Sequence, residues 1–246
     1  IGALIAILGV FMLLPLIASF IYQDDTHLVF LGSSAICISI GSILFFIFQK
    51  SNPSIGKKEG FAIVALGRIC LSLFGSLPYV INQTFDVFSS ALFETVSGLT
   101  TTGATVITDI EAQKPGMLLW RSLTQWIGGM GIIVLTVAIL PLLGVGGSEL
   151  FVAEAPGPTS NKIHPRIRET AKRLWYIYVG LTFVLAILLS FSGMNYFDAV
   201  NHALTTMATG GFSTKNTSIA YFDNPVIEYI IASFMIVAGV NYTIIY

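Results

Sequence analysis

The sequence predicts an all-α integral membrane protein: two leading transmembrane helices, then two similar units, each a span, a half-polar stretch and a second span. Three observations support this. Of 246 residues, 54% are hydrophobic and only 10% charged, against roughly 25% charged in soluble domains, and mean hydropathy is +0.82. The charges cluster, leaving apolar runs of about 20 residues, the length that crosses a bilayer. The order span, half-polar stretch, span then occurs twice, which is the signature of an internal repeat. A net charge of −1 without a polybasic tail gives nucleic-acid binding no electrostatic support.

The first span is predicted over Ile1 to Tyr22 and ends at Gln23-Asp24-Asp25-Thr26-His27. The second runs from Leu28 to Phe48, and the polar turn Gln49 to Glu59 completes the leading pair, 1–59. The first unit, 60–148, opens with a span from Gly60 to Val80, with Pro78 near its end, where a missing backbone hydrogen bond matters least. Asn82 to Gln113 is too polar to span and too apolar for a plain surface loop. The fourth span, Pro115 to Leu143, is longer than a bilayer needs, so it must tilt, bend or protrude. Pro141 and Gly144, Gly146 and Gly147 end it.

The second unit, 149–246, begins with a loop containing Glu154-Ala-Pro156-Gly157-Pro158, where proline implies extended backbone. The fifth span covers Thr170 to Ser192. A second half-polar stretch covers Asn195 to Asn224, and the sixth span begins at Pro225 and is still apolar at Tyr246. No basic leader precedes Ile1, so no signal peptide is visible. Both ends fall inside apolar segments, the expectation for a piece of a longer protein. Cys37 and Cys70 each sit inside an apolar run and read as small core residues rather than a disulfide.

Loop charges predict the orientation. Lys50, Lys57, Lys58, Lys162, Arg166, Arg168, Lys172 and Arg173 lie at the 49–59 turn and the 149–173 loop, against Lys114, Arg121 and Lys215 on the other side. The first side is therefore cytoplasmic, and both half-polar stretches open outward. Asp24, Asp25, Asp86, Asp109, Glu111 and Asp223 lie there too. They form either a rim that concentrates cations or ordinary solvated loops.

The half-polar stretches are where chemistry resides. Ala91-Leu-Phe-Glu-Thr-Val-Ser-Gly-Leu-Thr-Thr-Thr-Gly103 parallels Ala199-Val-Asn-His-Ala-Leu-Thr-Thr-Met-Ala-Thr-Gly210 if one residue of slack is allowed. Irregular backbone at membrane depth is tolerated only when buried in protein or lining a watery cavity. A dehydrated potassium ion needs oxygens in place of water, and rings of backbone carbonyls supply them. Thr100, Thr101, Thr102, Gly103, Ala104 and Thr105 form one candidate filter segment, and Ala208, Thr209, Gly210, Gly211 and Phe212 the other. The expected ion ligands are the carbonyls of Thr101, Thr102, Gly103, Ala208, Thr209 and Gly210. The segments before them, Ala91–Leu99 and Ala199–Met207, read as half-helices whose negative dipole ends favour a cation. The competing explanation is a pair of ordinary Thr/Gly-rich turns, which the matched repetition disfavours.

Other residues bear on this arrangement. Glu94 and Arg121 both fall at membrane depth, where charge is expensive. They are expected either to pair, bracing the first half-helix against the fourth span, or to meet water separately at the outer rim. Trp126-Ile-Gly128-Gly129-Met130-Gly131 predicts a close helix approach or bend behind the filter, or routine small-residue packing. His27, His164 and His202 do not cluster as metal ligands, and His202 reads as a packing residue. No phosphate loop, nucleophile elbow or HExxH motif points to an enzyme.

Several motifs together resemble a known family. They are Thr100-Thr-Thr-Gly-Ala-Thr105, Gln125-Trp-Ile-Gly-Gly-Met-Gly-Ile132, Ala138-Ile-Leu-Pro-Leu-Leu-Gly-Val-Gly-Gly147, Glu154-Ala-Pro-Gly-Pro158, Pro165-Arg-Ile-Arg-Glu-Thr-Ala171, Gly210-Gly-Phe-Ser-Thr214 and Tyr221-Phe-Asp223. The chain resembles the N-terminal half of the pore subunit of the bacterial Trk potassium-uptake system, in the Trk/Ktr/HKT superfamily. The resemblance implies four membrane–pore–membrane repeats around a pseudo-fourfold cation pore, two of them here, with filter glycines at Gly103 and Gly210. It also implies a multi-pass protein of the bacterial inner membrane, a homodimer, and a cytoplasmic ring of nucleotide-binding regulatory subunits. The Lys/Arg-rich 162–173 segment is either a dock for that ring or simply a snorkelling membrane edge. Potassium would be the transported ion, with no cofactor. The alternative is an ion-coupled secondary transporter of broken helices, which predicts a strongly polar residue at mid-span in an intact helix. Only Arg68 answers to that. A third reading is a membrane scaffold, which predicts that Gly103 and Gly210 tolerate Ala or Ser.

Overall fold

The computed structural model describes residues 1–49, 57–129, 131 and 167–239, with the side chains of 57–61 and 167–172 excepted. The far half of the fourth span, the Gly144–Gly147 cluster, the 150–166 loop and the end of the sixth span lie outside the described residues. Those that are described form helices and loops without a strand.

Pro15 shapes the first span. Lacking an N–H, it cannot satisfy the Phe11 carbonyl, and its ring crowds that turn. The span is accordingly two helices, α1 (Gly2–Phe11) and α2 (Leu13–Tyr22), joined at Met12 with helical backbone. Together they make one apolar span of 21 residues. Helix α3 (His27–Phe48) returns antiparallel as the second span. Small residues set the α1–α3 distance, as expected where lipid supplies no hydrophobic drive. A Cβ on Gly2 would lie 2.7 Å from the Gly41 carbonyl oxygen, and Ser34 Oγ donates to the Gly9 carbonyl at 2.7 Å. Cys37 and Cys70 are free thiols, Cys37 buried against Met12.

The third span also breaks, at Ser76, into α4 (Lys57–Gly75) and α5 (Leu77–Ile81). Pro78 near the start of α5 is again the cause, and the indole of Trp120 donates to the Gly75 carbonyl at the break, 3.0 Å away. A short helix, α6 (Phe88–Leu99), a loop and α7 (Pro115–Gly129) follow. The second unit has the same order: α8 (Ile167–Phe191), the short α9 (Tyr196–Met207), a loop containing a 3₁₀ turn (Ser218–Phe222), and α10 (Pro225–Gly239). Among the described residues, four spans are long and apolar enough to cross a membrane: Gly2–Tyr22, His27–Phe48, Ala62–Ile81 and Arg173–Phe191. Large apolar side chains on their outer faces, such as Phe20, Phe46 and Phe183, are exposed, as a lipid-facing surface requires.

Among the described residues, two buried clusters organise the interior. One joins the leading spans to α7 around Phe30, Tyr79, Met117 and Trp120, and the other joins α8, α9 and α10 around Tyr178, Leu185 and Met207. Trp126 of α7 packs against both. Its ring stacks on Tyr178 at 5.4 Å, its Nε1 donates to Thr182, and its carbonyl accepts from Tyr178 Oη.

Candidate functional site

The two short helices match residue for residue: Phe88 with Tyr196 at the start, Leu99 with Met207 at the end. The match continues into the loops. Thr101 N donates to Gly98 O and Thr102 N to Ser97 O, while Thr209 N donates to Thr206 O and Gly210 N to Thr205 O. Thr101 and Thr209 have φ of 53° and 54°, and Gly103 and Gly211 have φ of 77° and 79°. No slack is therefore needed. The backbone equivalent of Gly103 is Gly211, and Gly210 corresponds to Thr102. Residue identity pairs Thr102-Gly103 with Thr209-Gly210, but dihedral need, not identity, sets the correspondence.

In each segment φ alternates in sign over four residues, with Thr102 and Gly210 negative between the positive pairs. Extended strands of one hand point successive carbonyls to opposite sides, and sign alternation turns them toward one side. Threonine in the left-handed region is a true outlier, because its branched Cβ crowds the backbone. Two such outliers at equivalent positions mark a backbone held by its surroundings.

Those surroundings are polar and buried. Arg121 Nε donates to Glu94 Oε1 at 2.6 Å, and the two side chains are 2% and 0% exposed. Glu94 also accepts from Thr105 Oγ1 at 2.9 and 3.0 Å and from Val106 N at 3.0 Å. Arg121 reaches the second segment as well: Nη1 donates to the Ser213 carbonyl at 2.8 Å, and the guanidinium lies 3.7 Å above the Phe212 ring. Four residues further along α7, Gln125 Oε1 accepts from Phe212 N at 3.1 Å. The pattern recurs around α9, where His202, equivalent to Glu94, contacts Ser213 Oγ at 2.9 Å and the Asp198 carbonyl at 2.8 Å. Since a carbonyl only accepts, Nδ1 is the protonated nitrogen in the neutral ring and Nε2 accepts from Ser213.

The expected filter residues thus divide by what they touch. Thr100 Oγ1 donates back to the Val96 carbonyl and meets Thr102 Oγ1 at 2.8 Å, finishing the half-helix. The Ala104 carbonyl accepts from Ser97 Oγ at 2.5 Å and is turned back onto α6. The Thr105 hydroxyl belongs to Glu94. The Phe212 ring lies buried under Arg121. Thr101, Thr102 and Gly103, and Thr209, Gly210 and Gly211, form the alternating stretches themselves, with Ala208 closing α9. The two stretches touch: a Cβ on Gly103 would overlap the Gly210 carbonyl oxygen. Behind them Gly128 and Gly129 let α7 approach both half-helix ends. A Cβ on Gly128 would overlap the Leu99 carbonyl, and one on Gly129 would lie 2.6 Å from Ala208 Cα.

The loops converge at one end of the bundle. Asn216 receives Ile110 N at 2.8 Å on Oδ1, donates through Nδ2 to Asp109 at 2.9 Å and through its backbone N to Glu111 at 3.1 Å. The hydrogen bond from Asn216 holds the Asp109 carboxyl below the usual carboxylate range. Asp24 ties the first inter-span loop to α7, accepting from Gly116 N at 2.8 Å. Sequence reasoning did not single out Gln125, Ser213 or Asn216. A buried amide one turn beyond Arg121 was the available signal for Gln125.

Antiparallel apolar spans enclosing paired half-length helices, each ending in a glycine-containing stretch of alternating handedness, define a multi-span helical membrane protein built on an internal repeat. Comparison with known proteins carries this further. The chain matches the TrkH family, described as cation transport protein, over residues 26–246, and it belongs to that family. It is 45% identical over 244 residues to the Trk system potassium uptake protein TrkH of Escherichia coli K12, covering 98% of this chain and 50% of that protein. It is 37% identical to TrkG of the same organism, covering 100% of this chain and 51% of that protein. The crystal structure of the potassium transporter TrkH from Vibrio parahaemolyticus superposes with a TM-score of 0.83 at 39% identity, over 98% of this chain and 49% of that one. The chain thus spans about half the length of the relatives it matches, and its family is one of transporters rather than enzymes.

Proposed function

We propose that this chain supplies two of four pore segments in a potassium-uptake subunit, with Thr101–Gly103 and Thr209–Gly211 lining the ion path through their backbone carbonyls. The observation that carries this reading is the matched alternation of φ at Thr101, Gly103, Thr209 and Gly211 in two touching stretches. Such a backbone presents carbonyl oxygens to one side, and carbonyl oxygens are what a dehydrated potassium ion needs. The relatives' names, potassium uptake protein and potassium transporter, support potassium as the transported ion. Their double length supports two further segments completing the ring. In this reading 1–59 is the leading pair, 60–148 the first membrane–pore–membrane repeat, and 149–246 the cytoplasmic loop and second repeat. The Thr101, Thr102, Gly103, Ala208, Thr209 and Gly210 carbonyls remain in the proposed set, and the backbone match adds Gly211. Helices α6 and α9 end at the path, so their negative ends favour a cation there.

The wider setting is a proposal of the same kind. The protein sits in the bacterial inner membrane as a multi-pass homodimer. It binds no cofactor of its own, and it docks a cytoplasmic nucleotide-binding regulatory ring on the face that includes 162–173. The test is potassium-limited growth of a strain lacking its own uptake systems and carrying the complete gene. The intact gene is expected to restore growth, and Gly103→Ser and Gly211→Ser to lose it or admit sodium. Growth of both variants like the parent would remove the filter assignment and favour a coupled solute transporter or a scaffold.

A further inference from the structure

We infer that Gln125 is a positioning residue for ion selection, holding the Gly211 carbonyl toward the ion path and setting the spacing of the two segments. The inference rests on the filter reading above. Gln125 lies on α7 one turn beyond Arg121 and is 0% exposed. Its Oε1 accepts from Phe212 N at 3.1 Å. The peptide joining Gly211 to Phe212 is planar and trans, so its carbonyl points opposite to its N–H. Anchoring the N–H on Gln125 therefore turns the Gly211 carbonyl away from α7. The space around Gly211 is open: a Cβ there would meet nothing within 4 Å.

The same side chain fills the gap between the segments. A Cβ on Gly210 would overlap Gln125 Cδ and Oε1, and a Cβ on Gly103 would lie 3.9 Å from Nε2. Nε2 itself is buried without a hydrogen-bond partner. Unpartnered buried donors are rare and call for a reason. Here the donor edge faces the crowded backbone of Gly103 and Gly210, where the two stretches touch, and an amide at that place acts as a spacer. Loss of the side chain frees the 211–212 peptide to rotate and lets the stretches close up. Both changes alter the cage that distinguishes a larger cation from a smaller one. Arg121 does not duplicate this role, because it holds the Ser213 carbonyl and Glu94, beyond the alternating stretch.

The experiment is potassium and sodium flux through the complete protein reconstituted in phosphatidylethanolamine–phosphatidylglycerol vesicles. Gln125→Met keeps length and bulk but removes the acceptor and the amide. It is expected to lower the potassium-to-sodium flux ratio about tenfold, the equilibrium worth of one ordinary hydrogen bond. Gln125→Glu keeps both the bulk and an acceptor for Phe212 N and is expected to retain most of the parent ratio. Loss in Gln125→Met together with retention in Gln125→Glu is the pair of outcomes that a merely space-filling role, which predicts retention in both, does not produce. If Gln125→Met does not accumulate in the membrane, Gln125→Asn takes its place with the same expectation, its amide being one methylene short of Phe212. Gly103→Ser in the same vesicles separates the two ideas. Selectivity lost in Gly103→Ser but kept in Gln125→Met or Gln125→Asn overturns the role of Gln125 and leaves the filter standing. Selectivity kept in all of them overturns both.

Discussion

Gly103 and Gly211 hold nearly the same dihedral in different surroundings, and that difference separates backbone strain from crowding. At Gly211 an added methyl meets open space, so Gly211→Ala adds only left-handed strain, roughly 1–2 kcal/mol. At Gly103 the methyl also overlaps the Gly210 carbonyl. Gly103→Ala should therefore lower the thermal midpoint in detergent clearly more than Gly211→Ala, and equal shifts would contradict the contact between the segments. Arg121 and Glu94 are buried together, and removing one partner strands a charge at a cost of about 3–5 kcal/mol. Arg121→Leu is expected to abolish accumulation in the membrane or lower the midpoint by many degrees. A charge swap should not rescue it: an arginine at 94 cannot accept from Thr105 Oγ1 and Val106 N, as Glu94 does.

At the scale of elements, glycine does different work on different helices. Gly128 and Gly129 let α7 touch the ends of α6 and α9, whereas Gly180 of α8 has nothing within 4 Å of its missing Cβ. Gly129→Ala should destabilise by about 1–3 kcal/mol through overpacking. Gly180→Ala should be neutral or stabilise by up to about 1 kcal/mol through helix propensity. A thermal series of the two variants checks the contrast. The helix breaks at Met12 and Ser76 follow from Pro15 and Pro78, and neither interrupts its span as a membrane crossing.

At the scale of the whole molecule, side chains tie distant segments together at the loop end of the bundle. Partial burial works against the charge on Asp24, but hydrogen bonds from Ser19, Thr26 and Gly116 outweigh it and hold the carboxyl below its ordinary value. A lowered folded value means that the stabilisation is present above the unfolded value and is lost as pH falls through the folded one. Asp24→Asn should thus lower the midpoint by a constant amount from neutral pH down to about 5; the gap should begin to narrow at about 4, the free aspartate value, and close as pH falls on through the lowered folded value. A gap that persists at low pH would mean that the carboxylate charge is not what matters. Much of this architecture is legible in sequence, because spans are long apolar runs and a repeat of such runs stands out against the loops. The boundaries of the half-helices are less so. They begin at Phe88 and Tyr196 rather than Ala91 and Ala199: Phe88-Ser-Ser and Tyr196-Phe-Asp share no residue in register that a repeat match could use, although Asn195, which caps α9 by accepting from Asp198 N, was a start signal there. The match of Gly103 to Gly211 was hidden because two adjacent glycines offer a choice that only dihedrals decide. Gln125 was hidden because its partner is a backbone N–H 87 residues away.

The sharing of α7 between the two units has a consequence for biosynthesis. When α7 has entered the membrane and α8 and α9 are still unmade, Arg121 has Glu94 but not the Ser213 carbonyl, Gln125 lacks Phe212, and Trp126 lacks Thr182 and Tyr178. The nascent first unit thus presents a row of unmet donors and acceptors on one helix face, in a solvent that cannot hydrogen-bond them. It is a half-finished joint, completed only when the next hairpin brings Ser213, Phe212, Thr182 and Tyr178 to it.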